Sequence, residues 1–225
     1  MNTTSFIRQS ILLSLLFCFT CVAQAEVRLP ATPAENAVTA EEVLGTNEDN
    51  LGLRPGSKIP EFTINSITGD AVTLSDLLKN APVLVVFYRG GWCPYCNFQV
   101  RELAQHYPEF ETRGVTPVLI SADKPEASAM VKSGYDIPFP VLSDPDLNAH
   151  EAFDVVLEVD PGTYELYKNY GINLEEWSGK KHHKIALTSA FLIDKSGTVQ
   201  WAHVSKDYKT RPSPEQFLKV IDNLK

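Results

Sequence analysis

Two cysteines separated by two residues, Cys93 and Cys96, are the side chains in this sequence best suited to chemistry. A cysteine thiolate is a strong nucleophile. Cysteines three apart on one helical turn lie within disulfide reach, with about 5–6 Å between their Cα atoms. The spacing therefore predicts a pair that cycles between dithiol and disulfide with little backbone movement.

The flanking sequence predicts that this pair begins a helix. The apolar run Val83–Tyr88 is rich in β-branched residues, which is typical of a strand buried on both faces, and a turn with two glycines follows it. Pro94 suits the first helical position, where a missing N–H is harmless, so Cys93 would be the N-cap and Cys96 the third helical residue. The positive end of the helix dipole stabilises a thiolate. This geometry favours Cys93 as the more exposed thiol with the lower pKa.

A metal site is the alternative use of the two cysteines. Structural zinc usually needs a second pair of ligands, and the candidates are His182 and His183, which are adjacent and distant in sequence. If that segment folds back over the cysteines, the four residues would bind copper or zinc without catalysis. The sequence favours redox chemistry over this alternative, and it indicates no other cofactor.

The order of predicted elements is that of a parallel βαβ core with additional strands. One helix face is predicted after the cysteines, with apolar residues at Val100, Leu103, Ala104, Tyr107 and Phe110. The other predicted elements are strands at Glu61–Asn65 and Val72–Leu74, a helical turn capped by Ser75, a strand at Val115–Ser121, a helix at Lys124–Gly134, a strand at Phe139–Leu142, a hairpin of Ile185–Ile193 and Thr198–His203, and a final helix at Pro214–Leu224.

The N-terminal residues predict export. Arg8 is the only charged residue of the first 25, an apolar run follows it, and the stretch ends in the small-x-small pattern of a cleavage site at Ala25. The apolar run is shorter than the roughly 20 residues of a membrane-spanning helix. We therefore expect a periplasmic or secreted protein that is not an integral membrane protein. Cleavage also removes Cys18 and Cys21 and leaves the two cysteines of the motif.

The remaining sequence sets the domain organisation and excludes some partners. We expect a signal peptide at 1–25, a flexible leader at 26–50 and one domain at 51–225 with an insertion at about 155–184. The net charge of −8, with no basic cluster, argues against a nucleic-acid partner. The 44% hydrophobic and 21% charged composition is that of an ordinary globular domain.

From about Leu51 to its end, the sequence resembles the peroxiredoxin-like branch of the thioredoxin superfamily, which includes alkyl hydroperoxide reductase and thiol-specific antioxidant proteins. The segments that carry the resemblance are Gly56–Phe62, Val72–Asp76, the Phe87-Tyr88 pair and Phe191–Asp194 with Gly197. The resemblance implies an α/β thioredoxin-like fold, with a central mixed sheet flanked by helices. It also implies an antioxidant oxidoreductase whose redox-active centre is the cysteine pair.

The family motif transfers only in part. Aligned with it, Cys96 falls on the peroxidatic cysteine, Cys93 on a threonine or serine, and Arg89 on a proline. Thr188 lies nearest to the position of the catalytic arginine. We expect Arg89 to supply some of the missing positive charge and Trp92 to flank the sulfurs.

Two mechanisms therefore stay open. In thiol–disulfide exchange, Cys93 attacks the disulfide of a partner protein and Cys96 resolves the mixed disulfide. In peroxide reduction, Cys96 attacks a hydroperoxide and Cys93 resolves the sulfenic acid. Helix capping favours the first mechanism and the resemblance favours the second. Of the two, we expect general disulfide exchange as the main activity. Either mechanism needs a thiol reductant that the sequence does not identify.

Overall fold

The structure is a computed structural model that describes residues 50–224. The predicted signal peptide and all but the last residue of the predicted leader lie outside the described residues, and the domain boundaries stay predictions. The elements in chain order are β1 (Thr63–Ser66), β2 (Ala71–Thr73), α1 (Leu74–Leu78), β3 (Val83–Phe87), α2 (Pro94–Gln105), α3 (Tyr107–Thr112), β4 (Thr116–Ser121), α4 (Pro125–Gly134), β5 (Val141–Ser143), α5 (Asn148–Ala152), β6 (Val156–Glu158), α6 (Pro161–Asn169), α7 (Leu174–Ser178), β7 (Lys184–Ala186), β8 (Thr188–Ile193), β9 (Val199–Ser205) and α8 (Pro214–Asn223).

Seven strands form a mixed sheet in the order β2-β1-β5-β4-β3-β8-β9. Strands β3, β4 and β5 are parallel, and Val85 lies opposite Val118 in their register. Strand β8 pairs antiparallel with both β3 and β9. This arrangement confirms the predicted α/β class, with a central mixed sheet flanked by helices.

Strand β3 lies inside the sheet because every one of its residues is apolar and buried. Its side chains alternate between two hydrophobic clusters, with Leu84 and Val86 in one and Val85 and Phe87 in the other. The first cluster also contains buried residues of α2, such as Val100. The loop that precedes α2 begins where β3 ends, at the carboxyl edge of the sheet.

Two helix predictions were wrong in detail. The helix predicted from the cysteines to Phe110 is divided at His106, because Pro108 lies in the first turn of α3 and has no N–H to continue the ladder of α2. Helix α1 begins after Thr73 rather than after Ser75. A capping box fixes this start, since the Thr73 side chain accepts from the Asp76 N–H at 3.1 Å and the Asp76 carboxylate accepts from the Thr73 N–H at 3.1 Å.

The segment predicted as an insertion holds helices α6 and α7 between the two strands of a separate antiparallel pair, β6 and β7. The continuous strand predicted at 185–193 is accordingly divided into β7 and β8. Helix α6 has no fully buried side chain. Tyr170, which directly follows the helix, is 72% exposed. Between residues 50 and 224, no helix combines the length and apolar character needed to cross a bilayer.

Candidate active site

The cysteine pair lies at the N-terminus of α2, as its spacing predicts. Cys93 is the N-cap residue, with φ −92° and ψ 111°, and Pro94 occupies the first turn. The Cys93 sulfur accepts a hydrogen bond from the Cys96 backbone N–H at 3.4 Å. Both cysteines are free thiols and are buried.

The Cys96 sulfur is the better stabilised of the two as a thiolate. Burial alone would raise the pKa of Cys96, but the opposing effects are stronger and lower it to about 6. These effects are a hydrogen bond from the Cys93 thiol, the positive charges of Arg211 and Arg89, and a hydrogen bond from the Arg89 backbone. The Arg211 guanidinium donates to the sulfur from Nη2 at 3.0 Å. Cys96 is therefore mostly ionised at neutral pH.

Cys93 has the opposite character. Burial and its hydrogen bond to Cys96 raise the pKa of Cys93 well above its ordinary value, and the residue is only 1% exposed. The expectation that Cys93 would be the exposed thiol of lower pKa is therefore wrong. The helix dipole contributes about 0.3–1 kcal/mol near a helix end. A hydrogen bond to a charged group contributes about 1.5–3 kcal/mol, and Arg211 makes that bond with Cys96.

Arg211, which no sequence pattern indicated, also lies at the site and contacts the Cys96 sulfur. It lies between β9 and α8 and is 1% exposed. Besides Cys96, it donates to Gln99 Oε1 at 2.9 Å and to Thr188 Oγ1 at 3.2 Å. Thr188, the predicted counterpart of the catalytic arginine, thus binds an arginine that comes from another part of the chain. Since Gln99 is neutral, it orients Arg211 without neutralising the charge that acts on the sulfur.

Arg89 and Trp92 lie in the loop between β3 and α2. The Arg89 side chain is 7% exposed, and its guanidinium carbon lies 4.9 Å from the centre of the Trp92 ring, 5.5 Å from that of Tyr167 and 4.3 Å from that of Tyr208. Such distances are typical of cation–π contacts. Its Nη2 also donates to the Tyr167 hydroxyl of α6. The aromatic side chains hold a positive charge near both sulfurs and cover the loop before them.

The loop itself is held from two sides. The Gly91 N–H donates to Asp123 Oδ2 at 2.8 Å, and its carbonyl accepts from Asn97 Nδ2 at 2.7 Å. Gly90 has φ +144°, and a Cβ there would lie 2.3 Å from Trp92 Nε1 and 2.8 Å from Asp123 Oδ1. Only glycine fits at this position.

The structure does not bring the predicted metal ligands together. His182 Nε2 contacts the Pro145 carbonyl at 3.0 Å, and its Nδ1 accepts from the Lys184 N–H at 2.9 Å. His183 contacts Glu175 at 2.8 Å and stacks on Tyr164 with 3.8 Å between ring centres. In the described part of the chain, no group of three or more His, Cys, Asp or Glu residues is placed to hold a metal ion. The alternative of a site at Cys93, Cys96, His182 and His183 therefore has no geometric support.

Comparison with known proteins agrees with this geometry. The AhpC/TSA family model matches residues 55–202. A putative peroxiredoxin of Mycobacterium tuberculosis is 31% identical over 147 residues, which cover 65% of this chain and 82% of that protein. The thiol-disulfide oxidoreductase ResA of Bacillus thuringiensis is 28% identical over 178 residues, or 78% of this chain and 82% of ResA. The crystal structure of the peroxidoxin BcpB of M. tuberculosis superimposes with a TM-score of 0.59 at 20% identity and covers 76% of this chain and 95% of BcpB.

These matches define a peroxiredoxin-like oxidoreductase with a thioredoxin-like fold. The chain belongs to the AhpC/TSA family. The resemblance seen in the sequence is thereby confirmed, as are the fold and the enzyme class.

Proposed function

We propose that this protein is a thiol peroxidase in which Cys96 reduces a hydroperoxide and Cys93 resolves the product. The observation that carries the proposal is the Arg211 guanidinium 3.0 Å from the Cys96 sulfur, in a site where the pKa of that sulfur is lowered to about 6. The nucleophile is thus charged at neutral pH and lies next to a fixed positive group.

Burial of the pair favours a small substrate. Cys93 is 1% exposed and Cys96 is fully buried. A hydroperoxide group is small enough to enter after side-chain motion, whereas the disulfide of a folded partner needs an attacking sulfur at the surface. This burial supports peroxide reduction, rather than the general disulfide exchange expected from the sequence, as the main activity.

The reaction proceeds in two balanced steps. The Cys96 thiolate attacks the terminal oxygen of the hydroperoxide, so that an S–O bond forms, the O–O bond breaks, and the departing alkoxide takes up a proton. The Cys93 thiol then attacks the sulfur of the Cys96 sulfenic acid. An S–S bond forms, and hydroxide leaves with the Cys93 proton as water. The short sequence separation of the pair lets this disulfide close within one helical turn.

The two arginines serve both steps. Arg211 and Arg89 stabilise the attacking thiolate, and the same fixed charges stabilise the negative charge that develops on the departing oxygen. A thiol reductant then regenerates the pair by exchange with the Cys93–Cys96 disulfide.

Disulfide exchange with a protein partner is the second candidate, and two observations favour it. The Cys-x-x-Cys spacing suits it, and the relative ResA is a thiol-disulfide oxidoreductase. In this activity Cys93 would attack first, although its pKa is raised in the buried site.

A comparison of substrates distinguishes the peroxidase activity from the disulfide-exchange activity. Hydrogen peroxide, an organic hydroperoxide and the disulfides of insulin are supplied to the reduced wild-type enzyme, and the second-order rate constants are compared. We expect the hydroperoxides to react with the enzyme at least a hundredfold faster than they react with free cysteine at the same pH. We expect the insulin disulfides to react with the enzyme no faster than they react with a small dithiol. The reverse order would replace the peroxidase proposal with the exchange activity.

Export is a separate proposal, and the sequence of residues 1–25 supports it. We expect the mature chain to begin at Glu26 in the periplasm or the medium. Mass measurement of the intact protein from each cell fraction tests this start point. A full-length chain recovered with the cytoplasm would overturn it.

A further inference from the structure

An aromatic surface lies where the cysteine motif meets solvent. Within the motif both cysteines are buried, whereas Pro94 and Tyr95 between them are partly exposed. The Tyr95 ring packs against the ring of Tyr208, which follows β9 and is also partly exposed, with 5.3 Å between ring centres. A small molecule that approaches the motif at Tyr95 meets these two rings. We call the surface formed by Tyr95, Tyr208 and the adjacent Lys209 the entrance.

Two cations share the aromatic rings of the entrance. The Lys209 ammonium nitrogen lies 5.8 Å from the centre of the Tyr95 ring and 5.7 Å from that of Tyr208. The Arg89 guanidinium carbon lies 4.3 Å from the centre of the same Tyr208 ring. Both sets of distances are typical of cation–π contacts. The entrance therefore brings two positive charges to one tyrosine ring.

Neither cation has an acidic partner within the part of the chain that the structure describes. Between residues 50 and 224, no carboxylate lies within ion-pair distance of Arg89 or Lys209. Asp207 is close in sequence, but its carboxylate accepts the Lys209 backbone N–H at 3.0 Å and the Thr210 hydroxyl at 3.4 Å. The Nε atom of Arg89 has no hydrogen-bond partner, although the residue is only 7% exposed. Buried donors are rarely left unsatisfied, so this one points to a ligand.

The charge of the entrance suits an anionic reductant better than a hydroperoxide. The whole chain has a net charge of −8, so a positive entrance is the place on its surface that attracts an anion. Hydrogen peroxide is neutral and gains little from such a site. A thiol reductant, in contrast, reacts as a thiolate. It also meets the oxidised pair, in which neither sulfur is charged.

We propose that the entrance is a binding subsite for the reductant, and that this reductant is a small thiol that carries a carboxylate. The inference rests on the Cys93–Cys96 disulfide of the proposed function. The carboxylate pairs with the Lys209 ammonium, and the alkyl part of the thiol packs on the rings of Tyr95 and Tyr208. Arg89 acts electrostatically on both sulfurs and attracts the incoming thiolate. Burial of the pair disfavours a protein dithiol, whose sulfur would have to pass the same rings.

Reduction of the pair by such a thiol takes two exchange steps. One thiolate attacks the disulfide, so that the bond between the two cysteines breaks, a mixed disulfide forms and one cysteine is released. A second thiolate attacks the mixed disulfide, and the small disulfide leaves with the release of the other cysteine. Two electrons pass from the two thiols to the pair. Of the two thiol protons, one remains on Cys93 and one goes to solvent, because Cys96 stays a thiolate.

Three small thiols of similar size test the charge preference. The pair is first oxidised with diamide, so that the test needs no peroxide. Anionic 3-mercaptopropionate, neutral 2-mercaptoethanol and cationic cysteamine are then compared by stopped-flow fluorescence. Each second-order rate constant is referred to the thiolate present and divided by that for neutral bis(2-hydroxyethyl) disulfide. We expect the anionic thiol to exceed the neutral one by about tenfold, and the cationic thiol to be the slowest.

A substitution at the entrance and a matched control assign the preference to Lys209. Lys209→Met keeps an unbranched side chain over the rings and removes the ammonium, so the ratio of anionic to neutral rate constants should fall about three- to fivefold. Lys195→Met removes an exposed lysine from the turn between β8 and β9, at the opposite edge of the sheet, and should keep the wild-type ratio. Added salt should lower the ratio in the wild type. Thermal unfolding checks that both variants are folded.

The outcomes are distinct. Equal corrected rate constants for the three thiols, or an anionic preference that survives in Lys209→Met, overturns the subsite and leaves the peroxidase proposal intact. Reduced thioredoxin that reduces the pair about a hundredfold faster than 3-mercaptopropionate overturns the assignment of a small thiol. A pair that diamide does not convert to a disulfide overturns the cycle of the proposed function, and the inference falls with it.

Discussion

Replacing Arg211 with methionine tests how the protein activates Cys96. Methionine keeps an unbranched side chain of similar reach but removes the guanidinium that donates to the sulfur at 3.0 Å. A hydrogen bond to a charged group contributes about 1.5–3 kcal/mol. Because one pKa unit corresponds to about 1.4 kcal/mol, the pKa of Cys96 should rise by about one to two units from its value of about 6.

The expected kinetic effect follows from the thiolate fraction. At pH 7, a pKa of about 6 leaves about nine-tenths of Cys96 ionised. A rise of one to two units lowers this to between about half and about one-tenth. Loss of the fixed charge near the departing oxygen removes a further factor of about ten or more. The second-order rate constant with hydrogen peroxide should therefore fall about twentyfold to a hundredfold, and higher pH should restore only the part due to ionisation.

The assay is stopped-flow fluorescence of the reduced enzyme with hydrogen peroxide across pH 5–9, together with the pH dependence of thiolate absorbance. Arg113→Met is the matched control, because Arg113 pairs with Asp222 at a partly exposed surface position. It should leave both curves unchanged. Thermal unfolding checks that the Arg211 variant is folded. An Arg211→Met enzyme that is folded and reacts at the wild-type rate, with the same Cys96 pKa, would refute the reasoning.

Three further outcomes follow from the site. Tyr167→Ala removes the hydroxyl that binds Arg89 and part of the cover over the pair, so iodoacetamide should label the reduced protein several-fold faster; an unchanged rate would show that α6 does not limit access. Gly90→Ala places a Cβ 2.3 Å from Trp92 Nε1 at φ +144°. Urea unfolding should show a free energy of unfolding lower by more than about 2 kcal/mol. A decrease of less than about 0.5 kcal/mol would contradict the predicted overlap. The rate constant with hydrogen peroxide should fall as pH drops through about 6, because Cys96 is a thiolate above its pKa and a less reactive thiol below it. A rate constant whose pH midpoint lies near 9 would contradict this assignment.

Local sequence signals predicted the elements that hold the site. The buried strand β3 follows from its uninterrupted apolar run, and the start of α2 follows from Pro94 and the cysteine at its N-cap. These features depend on neighbouring residues, so the sequence carries them directly. The break between α2 and α3 could also have been predicted, because Pro108 lacks the N–H that a continuous helix would need at that position.

The assignment of the nucleophile was beyond sequence reasoning. It depends on Arg211, which lies 115 residues from Cys96 in the chain and reaches it only because β8, β9 and α2 meet at one edge of the sheet. Helix capping favoured Cys93 instead, because that criterion depends only on the residues at the end of the helix. The contact between Tyr167 and Arg89 is likewise a tertiary one, made when the α6 segment folds over the loop.

Trapping of the sulfenic acid tests the central claim most directly. Reduced Cys93→Ser and Cys96→Ser variants are treated with one equivalent of hydrogen peroxide in the presence of dimedone and digested for mass spectrometry. We predict a dimedone adduct on Cys96 in Cys93→Ser and no adduct on Cys93 in Cys96→Ser. An adduct on Cys93 in Cys96→Ser, with Cys93→Ser unlabelled, would contradict the account.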